Sequence, residues 1–235
     1  MPAPVLLEVC VETANSAVAA ERGGAHRVEL CANLAVEGLT PPRQLIEEVR
    51  RRISLPLHVL IRPRTGNFNY TLAEFESMKK EIVRAKQMGV NGLVFGILDA
   101  GNNVDVSRMR ELIELSHPLA VTFHRAFDEA SDLPTALEAV VQIGADRILT
   151  SGGSSSAEEG TPVLAELVKQ AAGRVTILAC GTIRETNVRK IVDGTGVREV
   201  HTSLLARTDN GAQDIRPEAV SLFLQAAAET HGTRR

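Results

Sequence analysis

VLLEVCVETANSAVAAERGGAHRVELC, residues 5–31, decides the fold. Two short runs, 5–10 and 26–31, are rich in Val and Leu and flank a helical segment that ends at a glycine. Side chains alternate across a strand, so Val5, Leu7 and Val9 share one face, and Glu8 and Cys10 lie on the other. The second run repeats the arrangement, with Val28 and Leu30 against Arg27, Glu29 and Cys31. A purely apolar face belongs against helices. The other face, carrying two Glu-x-Cys pairs, must then point somewhere central.

The same unit continues along the chain. Further strands are expected near 57–62, 92–96, 119–124, 146–151, 174–179 and 198–203, each short and apolar as buried parallel strands are. The intervening segments carry helix signals. Thr40-Pro41 reads as a cap followed by a first-turn proline, Thr71 with Glu74 as a capping box, and Asp132 as the cap before Leu133-Pro134. Arg216-Pro217 opens the last helix. Gly24, Gly89, Gly144 and Gly196 each precede a strand in one style, before the second, fourth, sixth and eighth strands, as left-handed helix terminators do. Eight strand–helix units predict an α/β fold of the closed (β/α)8 TIM-barrel kind, one domain over residues 1–235 with a frayed tail at 230–235. An open doubly wound sheet would want GxGxxG after the first strand. That turn reads Cys10-Val11-Glu12-Thr13, so no nucleotide cofactor is implied.

Composition narrows the function classes. With 44% hydrophobic and 23% charged residues in 235, the chain has ample material for a core. Aromatics are 3%, Trp is absent and the net charge is -3, which speaks against nucleic acid as a partner. The start, MPAPVLLEVCVET, lacks a basic leader and no stretch approaches a membrane span, so neither a signal peptide nor a membrane partner is expected. Three cysteines do not make a disulfide framework; a reducing cytoplasm suits them.

Extending the alternation around the ring sends His58 and Arg62 inward from the third strand, Thr122 and His124 from the fifth, and Glu199, His201 and Ser203 from the eighth. Barrel interiors are usually filled with branched apolar residues. Buried charges must pair or be used. An internal salt-bridge network of Glu8 and Glu29 with Arg62 is one reading. The other is a working site at the carboxyl ends of the strands, where barrel sites lie. There Glu8 or Glu29 could act as general base and His124 as acid or base. Arg62, Arg64 and His201 could hold an anionic or phosphorylated metabolite. Thr150-Ser151-Gly152-Gly153 and the turn at Gly181 offer backbone N–H groups of the kind that cradle phosphate. Cys10 and Cys31 end adjacent strands, and two facing thiolates suit Cu(I).

LEVCVETANSAVAAERGGAHRVELCANLAVEGLTP (7–41), IRPRTGNFNY (61–70), GLVFG (92–96), VTFHRAFD (121–128) and RILTSGG (147–153) closely resemble the CutC family of copper homeostasis proteins. The likeness spans nearly the whole chain. It implies a TIM barrel, a cytoplasmic location, homo-oligomers and an association with copper, with the family's proposed copper cysteines falling on Cys10 and Cys31. Copper handling and catalysis on a small anionic metabolite are therefore the two functions carried forward.

Overall fold

The computed structural model describes residues 5–207 and 213–228; the expected frayed tail at 230–235 lies outside them. Strands β1 (Leu6–Val11), β2 (Arg27–Leu30), β3 (Leu57–Leu60), β4 (Gly92–Phe95), β5 (Ala120–Phe123), β6 (Arg147–Thr150), β7 (Thr176–Ala179) and β8 (Glu199–Thr202) pair in sequence order. All pairings are parallel, and β8 returns to β1 with Leu7 opposite Val200 and Glu8 opposite His201, so the barrel is closed. The helices are α1 (Ala14–Arg22), α2 (Arg43–Arg52), α3 (Leu72–Gln87), α4 (Val106–Ser116), α5 (Leu133–Ile143), α6 (Thr161–Ala171), α7 (Val188–Thr195) and α8 (Pro217–Ala228). A short antiparallel pair, β9 (Leu205–Arg207) and β10 (Gln213–Ile215), sits between β8 and α8. No helix among the described residues is long and apolar enough to cross a membrane.

The expected helix ends form for the expected reasons, with one exception. Thr71 and Glu74 make both bonds of a capping box, and Asp132 accepts from Thr135 N–H at 2.9 Å. Gly24, Gly89, Gly144 and Gly196 all take positive φ, between 71° and 93°, the left-handed conformation that a side chain disfavours. Thr40 does not cap α2, which starts at Arg43 after Pro42. Its hydroxyl instead accepts from Arg62 N–H at 2.8 Å and donates to the Arg62 carbonyl at 3.1 Å. Two consecutive prolines push the helix start downstream and leave Thr40 extended beside β3, where it ties the strand end down.

The apolar faces read from the sequence lie against the helices. Leu7, Val9, Val28, Leu30, Val59, Val121, Phe123 and Val200 belong to one buried cluster with helical residues such as Ala17, Ile46, Ile82 and Phe223. Each such side chain removed from water contributes about 1.5–3 kcal/mol. The lumen is a different environment, with small separate apolar groups, Cys10, Cys31, Leu60 and Val94 on one side and Leu149, Leu178 and Cys180 on the other. The sulfur atoms of all three cysteines thus sit inside the barrel, and all are free thiols.

Candidate functional site

The lumen is charged in its depth. Arg27 Nε is hydrogen bonded to the Glu8 carboxylate, and its Nη2 reaches Glu199 Oε2 at 2.7 Å. Arg147 Nε meets the same Glu199 oxygen at 2.9 Å. The other Glu8 oxygen lies 2.7 Å from His201 Nδ1. Register produces this belt: Glu8 is opposite Arg27 on β2 and opposite His201 on β8. The expected pairing of Glu8 and Glu29 with Arg62 does not occur, because Arg27 is the neighbouring inward cation and Arg62 lies beyond the end of β3. Burial pushes the Glu8 carboxyl up, but Arg27 and His201 pull it well below the usual carboxylate range. Glu8 is therefore a fixed anion.

Above this belt opens a cavity of about 250 Å³ at the carboxyl ends of the strands. Of the residues expected at the mouth, Cys10, Glu29, Cys31 and Arg62 line it, as do His124, Gly181 and His201. Glu8, Arg64 and the 150–153 turn do not. Arg125, Thr182 and Arg184 line it as well. The strand alternation could not have found them, since they stand in loops after β5 and β7, where inward direction has no period.

Cys10 Sγ and Cys31 Sγ are 3.5 Å apart. One ligand atom each from Cys10, Glu29 and His201 also fall within 4.8 Å of one another, a group able to hold a metal ion. The hydrogen bond to Cys31, burial and the Glu29 carboxylate together push the Cys10 thiol well up. Burial raises Glu29, opposed by His201, which lies 3.5 Å away and is itself raised by its bond to Glu8 against its own burial.

His124 is 4% exposed and its Nδ1 accepts from Ala126 N–H at 3.1 Å, so a neutral ring carries its proton on Nε2. That Nε2 is buried without a partner among the described residues. Burial, helped by the Arg62 charge, lowers its pKa from 6.5 to about 3, and burial lowers His58 to about 4. Both rings are neutral in the folded chain but take up protons near pH 6.5 once unfolded. Between those limits the unfolded chain binds more protons, so stability falls as the pH drops from 6.5 toward 4. His124 alone contributes a loss on the order of 1–2 kcal/mol between about pH 6.5 and about pH 5. Urea unfolding at the two pH values, with wild type and His124→Gln, measures it. An unchanged pH slope in the variant contradicts the buried neutral ring.

Arg62 directs its guanidinium to the carbonyls of Val36, Gly38 and Gly66, each at 3.2 Å, and lies 5.0 Å from the Phe68 ring centroid. Arg64, expected beside it on a substrate, is drawn away to Glu74 at 2.6 Å and to the carbonyls of Asn67 and Asn69. The β6 turn is filled from within. Asp128 accepts from Ser151 N–H, Ser151 Oγ and Gly153 N–H, each at 3.0 Å, and from the Thr150 hydroxyl. It also meets Arg125 Nε at 3.0 Å. The donors that suggested a phosphate cradle thus surround a carboxylate of the same chain. Gly181 takes φ +101°, and a Cβ there would stand 3.0 Å from Ser151 Cβ, so close packing of the β6 and β7 turns requires glycine.

Comparison with known proteins agrees with this architecture. The CutC family model matches residues 5–206. A human relative described as a copper homeostasis protein cutC homolog is 44% identical over 206 residues, 88% of this chain and 76% of that one. A CutC family protein from Parabacteroides distasonis is 48% identical over 200 residues, 84% of this chain and 82% of that one. The crystal structure of the putative copper homeostasis protein CutC from Streptococcus agalactiae superposes with a TM-score of 0.81 at 33% identity, covering 85% of this chain and 98% of that one. Matched along almost its whole described length in sequence and in fold, the chain belongs to the CutC family.

Proposed function

We propose that this protein handles monovalent copper, held between Cys10 and Cys31 at the floor of the barrel mouth. The carrying observation is the pair of buried sulfur atoms 3.5 Å apart in a cavity that opens to solvent. Cu(I) is a soft ion that takes sulfur ligands. Cys10 is opposite Glu29, so Cys31 stands two residues further along the neighbouring strand and the two sulfur atoms meet on the diagonal. Glu29 and His201 flank Cys10 and can complete the coordination. A cytoplasmic, homo-oligomeric protein, as the family likeness implies, completes the reading.

The test is competition of reduced protein with a chromophoric Cu(I) chelator. Wild type is expected to take one Cu(I) per chain. The Cys10→Ser/Cys31→Ser variant should lose more than the roughly 10–100-fold that loss of an outer-shell partner costs. Undiminished uptake by the double variant removes these residues as ligands.

One observation favours a second reading, catalysis on a small anionic metabolite: the unpartnered Nε2 of His124 lies in a residue lining the same cavity. Acid–base work would fall to Glu29 and His124, with Glu8 orienting His201. Thermal-shift screening of carboxylates and phosphate esters in metal-free buffer separates the two. A specific hit there with no response to Cu(I) favours the enzyme.

A further inference from the structure

Two of the cations lining the cavity lack a counterion among the described residues. Arg62 is 4% exposed, yet its guanidinium meets neutral groups among the described residues, three carbonyl oxygens, the Phe68 ring and the nearby Tyr70 hydroxyl, and its buried Nε has no hydrogen-bond partner there. Arg184 donates to the Ile183 carbonyl at 2.8 Å and the Thr202 hydroxyl at 2.9 Å, both neutral. The acids nearby are engaged elsewhere. Glu29 faces His201 at 3.5 Å, Glu37 on the rim faces Arg125 at 3.9 Å, and Asp128 holds Arg125 from the other side. A buried cation without a negative partner, as Arg62 is, costs several kcal/mol, and dipoles offset only part of that; Arg184 is half-buried and costs less. A ligand carrying negative charge removes the cost. The cavity, at about 250 Å³, is also several times larger than a lone ion requires.

We infer that copper enters this mouth as a complex with a small thiol that bears a carboxylate, the carboxylate meeting Arg62 and Arg184 while the metal meets Cys10 and Cys31. The inference rests on the copper reading above. The transfer is ligand exchange without change of oxidation state. Two bonds from Cu(I) to carrier sulfur break and two to cysteine sulfur form. The two cysteine protons leave on the displaced carrier thiols, each of which keeps its carboxylate, so the total charge is conserved.

The experiment follows Cu(I)–thiolate absorbance after reduced, metal-free protein is mixed with Cu(I) complexed by 3-mercaptopropionate or by 2-mercaptoethanol. Wild type should load about tenfold faster from the carboxylate carrier, the lower end of what electrostatic steering supplies. The ratio should collapse in Arg184→Gln. It should also collapse in the unmodified protein at about 1 M salt, where screening is strong; this arm needs no substitution to fold. Equal loading from both carriers, or a ratio that survives in Arg184→Gln, overturns this inference and leaves the copper reading standing. Failure to load from either carrier overturns both.

Discussion

Replacing Arg27 by methionine lowers the free energy of unfolding by about 3–5 kcal/mol, the cost of leaving a buried carboxylate without its partner. Arg27 is 3% exposed and Glu8 is 1% exposed, so water cannot take over. The substitution strips Glu8 of its guanidinium and removes one of the two arginines on Glu199. Adding Glu8→Gln to the same chain is expected to recover about 1–2 kcal/mol, because the stranded charge disappears with it. Urea denaturation of wild type, single and double variants measures both quantities. A loss below about 1 kcal/mol in the single variant means that the lumen belt contributes specificity and not stability. The belt is also the floor on which the thiol pair rests, since Glu8 holds His201 and His201 faces Glu29.

Asp128→Ala carries the second large effect. It leaves two backbone N–H groups and the Thr150 hydroxyl without their common acceptor and Arg125 without its nearer carboxylate, while the Ser151 hydroxyl keeps the Ser154 carbonyl. Unmade hydrogen bonds to buried groups cost about 1–3 kcal/mol each, and partial hydration of this turn brings the expected total to about 2–4 kcal/mol. The vacated donors then form the anion cradle that the turn resembles in sequence. Phosphate at about a hundred times its dissociation constant should return roughly 2.7 kcal/mol to the variant and little to wild type. For a chain of this size that is a recovery of about 5–10 °C in Tm. Equal phosphate responses in the two proteins would show that Asp128 does not occupy the cradle.

Asp128 and Arg62 mark where local reading stopped. The Thr-Ser-Gly-Gly turn has the composition of a phosphate loop, and nothing in 150–153 announces that an aspartate more than twenty residues upstream fills it. Arg62 was legible as an inward cation. That it would spend its donors on the carbonyls of Val36, Gly38 and Gly66 depends on how the loops after β2 and β3 fold over the end of β3, and loop paths carry no periodicity. The places of Arg125 and Arg184 in the cavity lining were hidden for the same reason.

The sequence by itself determined the barrel, the face each strand turns inward, and the presence of Glu8, Arg27, Glu29, His201 and the two thiols in one lumen. Those properties follow from a two-residue alternation and from glycines at helix ends, which act over a few residues. Only the tertiary structure decided who pairs with whom. Arg27 and Glu199 are 172 residues apart in the chain and meet because the ring closes between β8 and β1. Partner choice in a closed barrel is set by the stagger of its strands, a property of the whole ring that no single segment encodes.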